Sequence, residues 1–482
     1  MLLIRHFLGE TRLDSLTLSR KIFIFLRGNK NSMLNRPKHN RKNYPKVFIK
    51  TFGCQMNVND SEYMIGQLEQ LGYQETEDIF QSNLILLNTC CVRAKVEQKI
   101  YSLIGKIREI KENNPNAILG ICGCMAQKEK ENIFKRAPYV DLIFGPSQID
   151  NLIEIVNNIK SNKKQSIFCN NSAYFNLKNV PVKRKSKISA WIQIMRGCNN
   201  YCSYCVVPYT RGPEQSRGVP EILSEVESLA QKNYKEIFLL GQNVNSYGKD
   251  LSKPATFSKL LELLNNINGG IERIRFTTSH PKDFSFDLIK TIKNCHKVCN
   301  HIHLPIQSGS SKILNMMNRK YDIDYYMNII KEIRDNIENI AITTDVMVGF
   351  PGETEEDFMD TLNAFKKIEF DEAYTFIYSN RENAIASLLP EKVPLGVKKE
   401  RLWKLINLQK EISTKINKKL EGEILEVLVD KKSKKHIENQ FSGRTGTNKT
   451  VVFTGKQNLL GQLVKVKIIK SSPWTLYGEL IK

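Results

Sequence analysis

The sequence RGCNNYCSYCVVPYTRG at residues 196–212 contains three cysteines in the spacing C-x-x-x-C-x-x-C. A structural zinc site would normally add a fourth cysteine or a histidine nearby, and a disulfide framework is typical of small secreted domains with an even number of cysteines. Three thiolates on a short loop can instead hold three irons of a four-iron cluster and leave the fourth iron open to another ligand. We therefore expect a [4Fe-4S] cluster on Cys198, Cys202 and Cys205, with a zinc knuckle as the alternative.

This loop follows the first of six short strands, each separated from the next by enough chain for one helix. In chain order the strands are ISAWIQI, EIFLLG, IERIRFT, NHIHLP, AITTDVMVGF and EAYTFIY. Six such units predict an incomplete (β/α) barrel at residues 184–416, with its reactive groups at the carboxyl ends of the strands. The three cysteines would then lie at the reactive mouth of the barrel.

The amino-terminal part of the chain predicts a separate doubly wound α/β domain at residues 46–162. The strands KVFIKTF, NLILLN, AILGIC and DLIFG alternate with amphipathic stretches, and polar and basic residues after position 160 predict a linker. Cysteines follow three of these strands, and the carboxyl ends of neighbouring parallel strands share one edge of a sheet. We therefore expect a second cluster at this edge, although the pattern alone leaves two pairs open; the candidates are Cys54, Cys90 or Cys91, and Cys122 or Cys124. Buried cysteines that pack as small apolar residues are the alternative.

The carboxyl-terminal residues 418–482 predict a small β-barrel that follows a helix at about residues 397–419. The alternating segments EILEVLVD, KTVVF, QLVKVKIIK and WTLYGEL supply its strands. Phe441 and Trp474 are expected to be available for stacking on RNA bases. A basic face is predicted from Lys431, Lys432, Lys434, Lys435, Arg444, Lys449, Lys465 and Lys467. A solvated lysine face without a ligand is the alternative.

The net charge of +22 over 482 residues indicates a polyanionic partner, and nucleic acid is the first candidate. Biased codon usage is the alternative source of the lysines. Eleven cysteines without a convincing secretory signal indicate a reducing compartment, and no apolar run is long enough to span a bilayer. We expect a cytoplasmic protein with a basic extension at residues 1–45, in which Met33 could be the true start. Mitochondrial import through that extension is the alternative.

The cysteine loop in a partial barrel resembles the radical S-adenosylmethionine (SAM) superfamily. In that superfamily SAM chelates the open iron, and reduction of the cluster cleaves SAM to a 5′-deoxyadenosyl radical. Glycine-containing loops after the second and fifth barrel strands are expected to contact SAM through Gly241, Gln242, Asn243, Gly349, Pro351 and Gly352. The same rim also carries Ser279, His280, His303, Gln307 and Ser308. For the two histidines a packed or hydrogen-bonded structural role is favoured.

The segments TFGCQMN, NTCCVR and GCMAQ match the methylthiotransferases. This resemblance implies that Cys54, Cys90 and Cys124 are the ligands of an auxiliary [4Fe-4S] cluster. No ligand position matches Cys91, Cys122, Cys169, Cys295 or Cys299. Within the methylthiotransferases, GCNNYCSYCVVPYTRGPEQSR, GQNVNSYG and IHLPIQSGS resemble the tRNA-2-methylthio-N6-dimethylallyladenosine synthase family over residues 46–482. The carboxyl-terminal barrel then resembles a TRAM domain.

The resemblance implies addition of a methylthio group to C2 of N6-(dimethylallyl)adenosine immediately 3′ of the anticodon in tRNA. It also implies an external flavodoxin- or ferredoxin-like electron donor and a sulfur donor, and we expect a monomer that binds no membrane. Alternatives are a methylthiotransferase acting on threonylcarbamoyl-adenosine or on a ribosomal protein, and an iron-sulfur RNA-binding regulator. One departure affects the substrate-side loop: where the family has Arg-Pro-Gly-Thr, this chain has Arg381, Glu382, Asn383 and Ala384.

Overall fold

The computed structural model describes residues 44–91, 94–162, 164–170, 177, 180–381, 383–390, 392–432, 439–456 and 458–481. Most of the predicted basic extension, including Met33, lies outside the described residues, as do Lys434, Lys435 and Glu382. Three folded units follow one another along the chain, and they agree with the fold class expected from the sequence.

The amino-terminal unit is a six-stranded parallel sheet in the order β2-β1-β3-β4-β5-β6. The strands are β1 (Lys46–Thr51), β2 (Gln74–Glu75), β3 (Leu84–Thr89), β4 (Ile118–Gly123), β5 (Leu142–Phe144) and β6 (Ser166–Phe168). The helices are Gln55–Gln70, Ala94–Asn113, Cys124–Glu129, Glu131–Arg136 and Leu152–Asn162. Strand β3 is apolar at successive positions because both of its faces are covered: Leu84 packs in one hydrophobic cluster and Ile85 in the other.

Strands β2 and β6 were not predicted. Strand β6 lies in the polar stretch that the sequence assigned to a linker, and it pairs with β5 through Leu142 and Ser166. It forms the edge of the sheet, so only one side of its backbone needs a partner strand and its residues stay partly exposed. An edge strand of this kind has no apolar pattern by which it could be recognised.

The central unit is the predicted partial barrel of six parallel strands. They are β7 (Ser189–Gln193), β10 (Glu236–Leu240), β11 (Arg273–Thr277), β12 (His301–His303), β13 (Ala341–Val348) and β14 (Glu372–Ile377). Strands β7, β10 and β11 form one three-stranded sheet and β12 to β14 another, and backbone hydrogen bonds of Ile274 to Lys297 and Cys299 join them. The helices are Val207–Arg211, Val219–Gln231, Phe257–Asn265, Phe286–Asn294, Ser311–Met316, Ile323–Asn336, Glu355–Ile368 and Leu395–Lys418.

The carboxyl-terminal unit is a closed five-stranded barrel in the order β15-β16-β17-β19-β18. Its strands are β15 (Ile424–Lys432), β16 (Gln440–Thr445), β17 (Thr450–Thr454), β18 (Leu463–Ser471) and β19 (Leu476–Leu480). The expectation that Phe441 is available for stacking is wrong. The alternation along β16 turns this side chain inward, where it is 3% exposed and packs against Phe453 in the core.

Two arginines of β11 hold the small barrel against the amino-terminal ends of the central strands. Arg273 donates to the carbonyl oxygen of Arg444, and Arg275 donates to those of Thr445 and Gly446. The remaining Nε–H of Arg275 binds Glu236 at 2.7 Å. The small barrel therefore packs at the opposite end of these strands from the loop that carries Cys198. Among the described residues, no helix has both the length and the apolar character needed to cross a membrane.

Replacing Arg275 with alanine should destabilise the docked domains by about 3–5 kcal/mol, because Glu236 would be left as a buried charge without its partner. The two side chains are 2% and 5% exposed. Urea unfolding followed by circular dichroism measures the change. Lys259→Ala, which removes an exposed pair with Glu262, is the matched control and should leave the midpoint unchanged. Equal midpoints for the two variants would contradict this docking role.

Candidate functional site

The loop with the C-x-x-x-C-x-x-C spacing is closed at its base. The short strand β8 (Met195–Arg196) pairs antiparallel with β9 (Gln215–Ser216), and the backbone N–H of Cys198 donates to the carbonyl oxygen of Gly212 at 3.1 Å. Gly197 has φ +79°, and a Cβ at this position would lie 1.9 Å from the carbonyl oxygen of Pro213. Glycine is therefore required immediately before the first cysteine.

The three cysteines of this loop are neighbours in the structure. Cys198 and Cys202 are buried, and the backbone N–H of Cys205 donates to the carbonyl oxygen of Cys202 at 2.9 Å. Burial raises the pKa of Cys198 to about 11 and that of Cys205 to about 12, and the nearby Cys202 adds to the second shift. Cys198 and Cys205 are therefore protonated at neutral pH without metal, so iron binding must displace their protons. One nitrogen of the buried Arg319 lies 3.4 Å from the sulfur of Cys202.

Buried polar atoms without hydrogen-bond partners gather beside this loop, after β10 and β11. They are Gln242 Oε1, Asn243 Oδ1, Asn245 Oδ1, Ser279 Oγ and His280 Nε2. Burying polar atoms without partners is costly, so a polar ligand at this place would satisfy them. The amino, carboxylate and ribose groups of SAM fit this requirement. Ser279 and His280 thus join Gln242 and Asn243 as residues that could hold SAM.

The glycines that were expected to contact SAM are required by the local structure. A Cβ on Gly241 would lie 2.6 Å from Met195 Cγ, and one on Gly349 would lie 2.3 Å from Lys398 Cγ. Gly349 and Gly352 have φ +71° and +78° on either side of Pro351. Close packing and positive φ thus account for glycine at these positions, and contact of these residues with SAM stays a prediction.

The rim histidines differ in their hydrogen bonding. His303 Nδ1 lies 3.0 Å from the hydroxyl of Thr343 and His303 Nε2 lies 3.5 Å from Asp345, so both ring nitrogens have a partner, and a structural role for this histidine stays a prediction. Gln307 has φ +66°, and the Ser308 hydroxyl contacts Thr361. In contrast, His280 uses only Nδ1, as acceptor from the backbone N–H of Lys282.

The amino-terminal cysteines meet at one edge of the parallel sheet, as expected. Cys54 follows β1, Cys90 follows β3, and Cys124 follows β4 at the start of a helix. A Cβ on Gly53 would lie 2.5 Å from Cys90 Cβ, and one on Gly123 would lie 2.4 Å from the carbonyl oxygen of Thr89. The ends of the three strands are therefore in direct contact, and Cys54, Cys90 and Cys124 could share a cluster there.

The other cysteines of this domain are placed differently. Cys122 is fully buried within β4 and contacts Met64 and the carbonyl oxygen of Leu87. Cys91 is buried behind Cys124, and its thiol, together with the charge of Arg211, lowers the pKa of Cys124 to about 6 through a hydrogen bond. Both the hydrogen bond and the charge of Arg211 favour the thiolate of Cys124, the form that binds iron.

No three metal-ligating side chains in the part of the chain that the structure describes stand close enough to hold a single ion. A four-iron cluster does not need such a site, because each of its cysteines binds a different iron.

Arg211 joins the two cysteine sites, and the sequence analysis missed it. Arg211 belongs to the loop of Cys198 but donates to Asp60 Oδ2 at 2.8 Å and to Asn57 Oδ1 at 2.9 Å, both in the helix that follows Cys54. An arginine directly before a glycine at the end of an otherwise neutral VVPYT segment was the only signal in the sequence.

The basic residues of the small barrel fall into two groups. Lys431, Lys465 and Lys467 are exposed, the last two on one face of β18. Lys449 instead binds Asp371 at 2.8 Å, at the junction with the central barrel. The side chain of Arg444 donates to Asn448, and Trp474 is half-buried in a cleft that Lys449 and Asp371 also line.

Within the departed loop at residues 381–384, the described residue Asn383 adopts a left-handed backbone conformation. Asn383 has φ +71°, and it stands where the family has glycine; asparagine is among the residues that tolerate this conformation best. Ala384 is buried in the hydrophobic cluster of the amino-terminal domain. Asparagine at position 383 is thus compatible with the left-handed conformation found there.

Family models match all three units: the uncharacterized protein family UPF0004 at residues 46–145, the radical SAM superfamily at 192–365 and the TRAM domain at 418–481. The chain is 49% identical over 436 residues to tRNA-2-methylthio-N(6)-dimethylallyladenosine synthase of Thermoanaerobacter pseudethanolicus, covering 90% of this chain and 92% of that protein. This chain belongs to the tRNA-2-methylthio-N(6)-dimethylallyladenosine synthase family. The synthase of Clostridium tetani is 47% identical, with 93% and 99% of the two chains covered.

Solved structures support the fold of this family member. The radical SAM methyltransferase TsrM from Kitasatospora setae, with tryptophan and a SAM analogue bound, aligns with a TM-score of 0.53 over 71% of this chain and 75% of that chain. Its form with cobalamin and a [4Fe-4S] cluster aligns with a TM-score of 0.52 over 69% and 72%. Both are 13% identical, so the likeness extends to the fold alone.

If each set of three cysteines holds one four-iron cluster, the anaerobically reconstituted full-length chain should contain about eight irons. Iron and protein assays on the same sample measure the ratio. Cys295→Ala, in the core of the central barrel, is the control and should leave the ratio unchanged. A fully loaded chain with about four irons would show that one set of cysteines is not a cluster site.

Proposed function

We propose that this chain adds a methylthio group to C2 of N6-(dimethylallyl)adenosine immediately 3′ of the anticodon in tRNA, giving 2-methylthio-N6-(dimethylallyl)adenosine. The observation that carries the proposal is the 47–49% identity to synthases of this name over at least 90% of both chains. The position of the cysteines also supports the proposal, because each set of three lies at strand ends and is available to hold one cluster.

Cys198, Cys202 and Cys205 would hold the cluster that binds SAM, and Cys54, Cys90 and Cys124 would hold the auxiliary cluster. When bound, these groups supply a radical able to attack an unreactive aromatic C–H bond and the sulfur that replaces its hydrogen. The unpartnered atoms of Asn243 and His280 would orient SAM, and the burial of Cys198 and Cys202 would exclude water from its site.

The tRNA binds through the exposed lysines of the small barrel, whose positive charges pair with phosphates. Lys431, Lys465 and Lys467 are suited to this role, whereas Lys449 is occupied by Asp371. Arg444 lies at the junction with the central barrel. An external flavodoxin- or ferredoxin-like electron donor and a separate sulfur donor complete the reaction, and the chain acts as a monomer.

Cys198→Ala should abolish both 5′-deoxyadenosine and the methylthio nucleoside, because it removes a ligand of the cluster that binds SAM. Replacing Cys54, Cys90 and Cys124 together should abolish only the methylthio nucleoside, because the loop of Cys198 stays intact. Chromatography of the reaction and nucleoside mass spectrometry of dimethylallyl-modified tRNA measure the two products.

Cys91→Ala is the matched control for Cys90→Ala and should keep most of the activity. Normal methylthiolation by the triple variant would overturn the auxiliary assignment. If the unaltered chain cleaves SAM and modifies threonylcarbamoyl-adenosine or a ribosomal protein instead, the proposed substrate is wrong. If it binds tRNA without cleaving SAM, it is an RNA-binding regulator.

Changing Lys465 and Lys467 to glutamine should weaken tRNA binding and reduce the slope of log K against log salt by about 1–2, since each phosphate contact contributes about 0.7–0.9. Filter binding across a salt series gives the slope. Lys259 and Lys331, which are exposed on helices of the central barrel, form the charge-matched control pair. An equal slope for both pairs would leave the lysines of β18 without a role in RNA binding.

A further inference from the structure

Arg211 lies in the loop of Cys198, but its side chain is buried against the helix that follows Cys54. Its side chain is 4% exposed, and it donates to Asp60 Oδ2 at 2.8 Å and to Asn57 Oδ1 at 2.9 Å. The same Asn57 oxygen lies 3.7 Å from the sulfur of Cys54, and the Asn57 amide donates to the carbonyl oxygen of Thr89, directly before Cys90. Arg211 thus contacts the groups that set the positions of two auxiliary ligands.

The negative charges around Arg211 explain why this cation is buried between the two cysteine sites. Asp60 is 3% exposed, and the guanidinium of Arg196 acts on it in addition to Arg211. An oxidised four-iron core with three thiolates carries one negative charge, and reduction adds another. Arg196 interacts with Asp150 as well as with Asp60, whereas Arg211 interacts with Asp60 and with two of the auxiliary cysteines, so Arg211 is the buried cation beside these ligands. Reduction makes the cluster more negative, so a nearby positive charge favours the reduced state.

The other cluster site has its own arginine. Arg319 is 4% exposed and donates toward Cys202 Sγ at 3.4 Å and toward the carbonyl oxygen of Pro305 at 3.3 Å. Its side chain also contacts the hydroxyl groups of Tyr204 and Tyr321. Each set of cysteines thus has one buried guanidinium beside it, which provides a matched pair for experiment.

We propose that Arg211 is a positioning residue that sets the reduction potential of the auxiliary cluster on Cys54, Cys90 and Cys124, although it lies in the loop of the other cluster. The inference rests on the auxiliary cluster of the proposed function. Charge and hydrogen bonding beside the cysteine sulfurs are general determinants of cluster potential. Arg211 therefore couples the electronic state of one cluster to the position of the loop that holds the other.

The test is a redox titration followed by electron paramagnetic resonance on reconstituted full-length protein. The first background, with alanine at Cys198, Cys202 and Cys205, can hold only the auxiliary cluster. The second background, with alanine at Cys54, Cys90 and Cys124, can hold only the first cluster, the one in the loop of Cys198. Arg211→Gln should lower the potential of the auxiliary cluster by at least about 59 mV, a tenfold change in the one-electron equilibrium. It should leave the first cluster unchanged. Arg211→Lys should restore most of the potential, and Arg319→Gln should lower only that of the first cluster.

Arg211→Gln alone leaves Asp60 as a buried charge without its partner, which destabilises the fold. The double variant Arg211→Gln with Asp60→Asn is therefore compared with Asp60→Asn alone. The same tenfold difference is expected between them. An unchanged auxiliary potential in fully loaded protein would overturn the inference while leaving the proposed function standing. Loss of the auxiliary irons from both glutamine variants would also overturn it, because Arg211 would then hold the cluster rather than set its potential. Absence of any cluster in the first background would instead refute the auxiliary site itself.

Discussion

The buried ion pair between Arg211 and Asp60 is the constraint on which the arrangement of the two cysteine sites depends. Both side chains are 4% exposed, so neither charge can turn to water without separating the amino-terminal domain from the central barrel. Removing charges from water costs several kcal/mol each, and only close pairing offsets that cost. The packing of Val206 and Ala384 into the amino-terminal hydrophobic cluster reinforces the same junction. The two sites therefore keep a fixed relation to each other.

The meeting of the amino-terminal cysteines at one edge of the sheet could be predicted from the sequence, because it follows from the topology of the sheet. Parallel strands place their carboxyl ends together, so Cys54, Cys90 and Cys124 had to converge once the strands were recognised. The choice between Cys90 and Cys91 came from family resemblance and stays a prediction; in the structure Cys91 is hydrogen-bonded to Cys124 within the same hydrophobic cluster. The partial barrel followed from the same regular alternation of strands and helices.

Contacts between distant parts of the chain were beyond the reach of sequence patterns. Arg211 and Asp60 are 151 positions apart, and Arg319 and Cys202 are 117 apart, so no local periodicity links them. The same limit hid the ion pair of Lys449, since its partner Asp371 lies in another domain. The prediction for Phe441 was wrong for a different reason. In a small closed barrel every second residue of a strand faces the core, and the pairing of β16 with its neighbouring strands determines which residues these are.

The docking of the small barrel is achieved mainly through main-chain acceptors. Arg273 and Arg275 bind the carbonyl oxygens of residues 444–446, and every amino acid supplies that oxygen. Substitutions in this turn can therefore accumulate without loss of the interface, provided that the backbone path is kept. The side chains of this turn can thus change the surface chemistry of the small barrel independently of the contacts that attach it to the central barrel.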